Sequence, residues 1–231
     1  MLITVLEVLR TEKKYEINSL HSVQKLKCVL SAGLKADPHN GENGYMVRSL
    51  YFDSLFDDDY ADKESGLERR KKIRLRIYDS EAQTAKLELK EKRGQSQLKR
   101  SLAIPKVQAQ KLAAGDYNVL RETDNKLARE IFFLMQEGLY RPKAIVEYKR
   151  LAYTLAENDT RITIDSRLSA TEASFDLFSK NLYLYPIMQG IVLEVKYNRF
   201  LLDYVKDLVN FINKEETSVS KYILARKISR Y

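Results

Sequence analysis

The chain has 231 residues, 44% of them hydrophobic and 31% charged, with a formal net charge of +8 and a pI near 9.3. This composition excludes a disordered chain, and the basic balance favours an anionic partner: nucleic acid, membrane surface or phosphorylated small molecule. A single cysteine, Cys28, excludes an intrachain disulfide framework, and no apolar run reaches the roughly 18 residues of a membrane span.

The start, MLITVLEVLR, is apolar but interrupted by Glu7, and it lacks the basic region of a signal peptide. A soluble cytoplasmic protein is expected. The first strand is predicted at 10–17 (RTEKKYEI), followed by a helix at 19–34 capped by Asn18 or Ser19. Cys28 lies in that helix, where a small buried hydrophobe is the simplest role. A strand at 45–53 leads into the acidic stretch 54–66, in which Asp57–Asp59 reads as a solvated loop. Strands are predicted at 71–79, 84–92 and 97–104. Pro105 opens a short helix that Gly115 ends, and a longer helix runs from Asp124 or Asn125 to Gly138. Strands at 143–155, 160–166 and 190–198 follow. A helix at 200–213 carries Leu201, Tyr204, Val205, Leu208 and Ile212 on one stripe, and a last helix spans 218–230. The pattern is that of one α+β domain, 1–231, with a largely antiparallel sheet.

The strands share one peculiarity. KKIRLRIY, 71–78, places Lys72, Arg74 and Arg76 on one face and Ile73, Leu75 and Ile77 on the other. The same division recurs. Lys86, Glu88, Lys90 and Lys92 oppose Leu87 and Leu89; Glu194 and Lys196 oppose Leu193 and Val195; Glu12 and Lys14 share a face with Arg10. Two architectures fit. A sandwich would put the charges in water. A barrel would put them inside and leave the aliphatic outside to the helices. A barrel lined by so many like charges needs counter-charge, from carboxylates, water or a bound polyanion. Arginine and lysine suit phosphate, and carboxylates among them suit Mg²⁺ or Mn²⁺.

A set of short motifs occurs in one order: EKKY in the first strand, SLYFDS at 49–54, KIRLRIY at 72–78, LELKEK at 87–92, VEYKRLAY at 146–153, RITID at 161–165, LEVKYN at 193–198 and SKYILAR at 220–226. Together they resemble the VTC domain, the polyphosphate polymerase module among the triphosphate tunnel metalloenzymes, the superfamily that also holds the CYTH-type phosphatases and cyclases. The resemblance implies a closed, eight-stranded antiparallel barrel with helices packed around its outside. It also implies transfer of the γ-phosphate of ATP onto polyphosphate, with Mn²⁺ or Mg²⁺ as cofactor. By the same resemblance Arg74, Arg76, Lys90, Arg150, Arg161 and Lys221 are catalytic. Lys14, Lys72, Lys196, Arg48 and a fifth-strand cation, Arg100 or Lys99, bind substrate, and Glu194, Glu88 and Glu12 hold metal. A membrane protein that takes up the product is a possible partner, and no nucleic acid is expected.

CYTH-type enzymes open with E-x-E-x-K, whereas here Arg10 stands where the first glutamate would be, which favours polymerase-like chemistry. A triphosphatase of the same fold is the nearest alternative, and a non-catalytic polyphosphate or inositol-phosphate binder the next. Several residues have plainer readings. Lys86 and Lys92 read as solvated strand ends, His21 and His39 as surface, and Tyr148 and Tyr222 as wall packing as readily as substrate contacts. Glu88 could equally pair with cations across the strands.

Overall fold

The computed structural model describes residues 5–7, 10–94 and 96–228. Its strands are β1 (Val5–Glu7), β2 (Arg10–Ile17), β3 (Lys35–Ala36), β4 (Tyr45–Asp53), β5 (Arg69–Ile77), β6 (Thr84–Arg93), β7 (Ser96–Pro105), β8 (Arg141–Leu155), β9 (Thr160–Thr171), β10 (Tyr185–Pro186), β11 (Ile191–Asn198) and β12 (Glu215–Glu216). The helices are α1 (Leu20–Gly33), α2 (Asp58–Glu64), α3 (Lys106–Ala113), α4 (Lys126–Glu137), α5 (Asp203–Asn210) and α6 (Lys221–Arg226). The eight strands predicted from alternation are the eight long ones. The predicted caps also hold: Ser19 accepts from the Ser22 amide, and Asn125 from the amides of Leu127 and Ala128. The last helix is shorter than predicted, and residues 229 and 230 lie outside the described residues.

All strands belong to one antiparallel sheet, hydrogen-bonded in the order β1-β7-β6-β5-β4-β8-β9-β11-β2-β12. The expected closed barrel is therefore corrected: among the described residues the hydrogen-bonded path is open, with β1 at one end and β12 beside β2 at the other. The cause is a division of the first strand. Val5–Glu7 pairs with β7, whereas Arg10–Ile17 pairs with β11. Three peptide steps from Glu7 to Arg10 span at most about 11 Å, so the chain itself draws the two ends of the sheet together.

One contact shows how tightly the sheet curls. β2 and β6 are six strand positions apart along β6-β5-β4-β8-β9-β11-β2, about 29 Å in a flat sheet. Yet Lys90 Nζ on β6 lies 3.2 Å from Glu12 Oε2 on β2. The charged faces therefore meet inside the curl.

The aliphatic faces lie outside, under helices. Leu50, Ile73, Leu75, Leu87 and Leu89 pack with Leu112 of α3 and Ile131 and Met135 of α4. Ile162, Ile164, Leu193 and Val195 pack with Leu26 and Leu30 of α1 and Val205 and Val209 of α5. On α1 the buried stripe is Val23, Leu26 and Leu30, which leaves Cys28 exposed rather than in the core.

Two helices do not cover the outside. Tyr222, Ile223 and Ala225 of α6 and Tyr60 of α2 pack with Val47, Tyr51, Val146, Ala170 and Val192, on the inner face. Nor is the acidic stretch a solvated loop. Asp58 begins α2, and Asp59 is buried. Asp53, fully buried at the end of β4, accepts from the amides of Ser54, Asp59 and Tyr60 at 2.7–2.9 Å and from the Tyr222 hydroxyl at 2.5 Å. This one carboxylate starts α2 and ties α6 to the sheet. Asp53→Ala strands those donors and is expected to cost about 3 kcal/mol, read as a lower midpoint in urea denaturation.

Candidate functional site

The inner face holds a cavity of about 320 Å³ lined by thirteen Lys or Arg side chains and three Glu. That excess of positive charge is larger than the +8 of the whole chain, so the protein outside the cavity is slightly acidic. Strand alternation builds the lining. Ten of the residues predicted for the site come together in it: Glu12, Lys14, Lys72, Arg74, Arg76, Lys90, Arg150, Glu194, Lys196 and Lys221. Gly44, at φ +81°, lets the turn into β4 approach β8; a Cβ there would lie 2.5 Å from the carbonyl oxygen of Arg150.

Buried carboxylates hold part of this wall in place. Glu88, opposite Arg74 in the β5–β6 register, accepts from Arg74 Nε at 2.6 Å, lies 3.8 Å from Arg76 and pairs with Lys99. Burial alone would raise its pKa, but Arg74, Arg76 and Lys99 hold it well below the usual carboxylate range. Arg74 also donates to the Tyr51 hydroxyl and Arg76 to Ser49. Asp165, fully buried, takes Arg150 in a two-pronged pair at 2.6 and 2.8 Å and Lys221 at 2.8 Å. The Tyr148 ring lies 5.3 Å from the Arg150 guanidinium and 4.8 Å from Lys221 Nζ, a cation–π wall between them.

The second pair of carboxylates lies open to the cavity. Glu12 is 3.1 Å from Lys14, 3.2 Å from Lys90 and 3.8 Å from Lys196. Glu194 is 3.2 Å from Lys196, 3.7 Å from Arg150 and 3.9 Å from Lys14. Burial raises both pKa values, and for Glu12 the neighbouring Glu194 adds to it, but the surrounding cations, with a hydrogen bond from Glu12 in the case of Glu194, outweigh this and lower both. Among the described residues no group of three or more Asp, Glu, His or Cys is placed to hold a metal. Glu12 and Glu194 nevertheless suit the donor set of a hard cation that takes one or two carboxylates and completes its shell with phosphate oxygens. Glu88, buried and absent from the cavity lining, does not.

Lys72 has no such counter-ion. Its ammonium donates to the Ser220 hydroxyl at 2.7 Å, and among the described residues no carboxylate lies within 4.0 Å of it. Burial, with Lys14, Lys90, Lys63 and Arg74 around it, pushes its pKa down to about 7. The neighbouring Lys90 is also depressed, by burial. The cation of this wall that lacks a carboxylate partner among the described residues thus lies midway along it.

The structure does not bring four predicted residues to the cavity. Glu88 lies beneath its wall. Arg48, with Leu50 and Phe52, has the outward parity of β4, and it binds Glu147 and the carbonyls of Leu177 and Ser179. Arg100 also points outward, to Glu91 and to Glu130 of α4, whereas Lys99 reaches Glu88 on the inner face. Arg161 has inner parity, but Asp37 holds it at 2.9 Å and the Tyr45 hydroxyl at 3.3 Å. Lys92, read from sequence as a solvated strand end, lines the cavity; Lys86 is exposed beside Tyr78. Lys63, Arg70 and Lys71 were missed by the motifs. The alternation of β5, extended two residues towards its start, would have found Arg70.

The VTC domain family profile matches residues 9–230. The chain belongs to the VTC domain family. No curated protein matches it in sequence. Among solved structures, this VTC domain is similar to an adenylyl cyclase candidate from Hippeastrum with a dominant triphosphatase activity: TM-score 0.59, 19% identity, 94% of each chain covered. It is also similar to an adenylate cyclase candidate from Bacillus halodurans: TM-score 0.53, 14% identity, covering 93% of this chain and 95% of that one. A protein from Pyrococcus horikoshii gives a TM-score of 0.50 at 12% identity, covering 95% and 99%. At these identities the likeness is one of fold.

Lys72, with a hydroxyl but no carboxylate beside it, gives a test with a definite sign. Its folded pKa of about 7 lies below the ordinary 10.5, so between these values the unfolded chain holds a proton that the anion-free folded protein does not. Lys72 therefore makes the free protein more stable as pH rises through that window, and an anion that restores the proton binds more weakly there. Lys72→Met is expected to stabilise the free protein by about 1 kcal/mol and to weaken tripolyphosphate binding about 10- to 100-fold. It should also remove much of the proton uptake on binding, measured by calorimetry in buffers of different ionisation enthalpy.

Proposed function

We infer that this VTC domain is a phosphotransferase that holds ATP or another triphosphate in the cavity and passes the terminal phosphoryl group to a polyphosphate chain. The observation that carries this reading is the cavity wall around Lys72: lysines from β2, β5 and β6 converge there with no carboxylate to neutralise Lys72. Family membership supports the same class of chemistry.

Phosphoryl transfer proceeds through a loose transition state whose charge lies on the equatorial oxygens, so positioning and electrostatics do most of the work. Arg74, Arg76, Arg150 and Lys221 are pinned by Glu88 and Asp165, so their charges need no reorganisation when phosphate arrives. Lys14, Lys72, Lys90 and Lys196, with no two-pronged carboxylate holding any of them, are the cations that a phosphoryl group would meet. Glu12 and Glu194, with phosphate oxygens, would hold Mg²⁺ or Mn²⁺, which supplies charge neutralisation between neighbouring phosphates.

The nucleophile separates the competing readings. The end of a polyphosphate chain is already an oxyanion and needs no base. A water nucleophile is helped by one, and a carboxylate held at low pKa is a poor base. Glu12 and Glu194 are both held low, which favours transfer over hydrolysis. Hydrolysis is the second reading, favoured by the dominant triphosphatase activity of the Hippeastrum protein of this fold.

Incubation with ATP and Mn²⁺, with the products resolved by size, distinguishes them. Long-chain phosphate and ADP are expected. Free phosphate alone would establish the hydrolase, and tight polyphosphate binding without turnover the binding module. Glu194→Gln is expected to lower turnover at least about 100-fold while melting remains one cooperative transition at a lower midpoint, because a buried carboxylate paired with cations is lost. Full activity in that variant would remove Glu194 from the site.

A further inference from the structure

The cation row does not stop at the cavity. In the β5–β6 register Lys72 faces Lys90 on the inner side, and two residues further out Arg70 faces Lys92. At the strand ends Arg69 faces Arg93. Like charges directly opposite across a sheet are destabilising, and here three such pairs occur within four positions. Further along the same ladder Arg74 faces Glu88, and one more like-charge pair follows, Arg76 facing Lys86. The like-charge pairs are thus densest at the cavity and the mouth beyond it.

A second cavity, of about 360 Å³, lies there. Arg70, Lys71 and Lys92 line both it and the first cavity, so the two adjoin. Arg69 and Arg93 belong to the outer one alone, and both are exposed. Asp62 and Glu91 also line it, but Glu91 is committed to Arg100 at 2.6 Å and lies 3.7 Å from Arg93. Five cations against two acids leave this lip positive, and Arg70 and Lys92 also depress the pKa of Lys63 after burial has done so.

We propose that the lip formed by Arg69, Arg70, Lys92 and Arg93 is a separate binding subsite for the part of a linear phosphate polyanion that extends beyond the tunnel. A triphosphate is short enough to be held by the cavity cations alone, so the lip selects for chain length. The phosphate chain leaves across the start of β5 and the end of β6. This inference rests on the tunnel reading above for its ligand class, but Arg69 and Arg93 line the outer cavity alone.

The test is the double variant Arg69→Gln/Arg93→Gln, titrated with sodium tripolyphosphate and with long-chain polyphosphate over a range of NaCl concentrations. Tripolyphosphate affinity should stay at the wild-type value. Long-chain affinity should fall several-fold, and its log–log salt slope should become shallower by roughly 1.5, the counterion release of two lost contacts. Wild-type affinity and slope for the long chain would overturn the lip. Lys72→Met tests the tunnel separately, because it should weaken both ligands. If it weakens neither while the lip variant weakens the long chain, the tunnel reading fails and the lip stands.

Discussion

Everything in this structure answers to one constraint: a sheet has turned its cationic faces inward, where like charges repel and water is scarce. The solution is uneven. Buried Glu88 and Asp165 pair with Arg74, Arg76, Arg150 and Lys221, offset half of their charge at most, and fix their geometry. Glu12 and Glu194 serve several lysines at once and neutralise none fully. Lys72 is left with a hydroxyl. The gradient from pinned to unpartnered cations marks where an external anion is most strongly wanted. It also accounts for why pKa shifts cluster here, as they do at functional sites generally.

Stability and site geometry are joined through α6, which packs on the inner face rather than the outer one. Asp53 binds the Tyr222 hydroxyl, Tyr222 stacks on Tyr51 at 5.2 Å, and Tyr51 accepts from Arg74. One residue before Tyr222, Lys221 reaches Asp165, and Ser220 meets Lys72. A carboxylate at the far end of β4 thus sets where two cavity side chains sit. Uncompensated charge lowers the stability of the anion-free protein, and the aliphatic outer layers under α1, α3, α4 and α5 offset that cost.

The fold was legible in the sequence wherever a residue's role follows from period two. KKIRLRIY gave the inner and outer faces of β5 correctly, and the same rule placed Lys90, Glu194 and Lys196 inside. It fails where a motif is matched by residue type without counting parity. Arg48 sits one place from the inner residues Val47 and Ser49, and Arg100 one place from Lys99. Each therefore faces outward, to its own acidic partner. That the hydrogen-bonded path stays open was not legible, because alternation says nothing about the split of the first strand between β7 and β11. Nor was α2, whose start depends on the amides collected by Asp53, a contact within a run that composition alone marks as solvent-loving. Arg161 has the right parity, but Asp37, over a hundred residues earlier, holds it.

The two open carboxylates bear most directly on the chemistry. A site with several acidic groups can spare one as a base for water while others hold metal. Here Glu12 and Glu194 are each within 4.0 Å of lysines, both have lowered pKa values, and the buried Glu88 and Asp165 are locked in ion pairs. Any metal they hold must compete with Lys14 and Lys196, which phosphate can draw away only if it arrives first or together with the ion. The electrostatics therefore favour a ligand that brings many charges of its own, over a sequence in which metal binds alone. They also favour a nucleophile that is already an anion. A cavity whose cations continue past its mouth meets both demands with the same molecule, since a phosphate chain supplies the terminal oxyanion inside and the counter-charge for Arg70 and Lys92 outside.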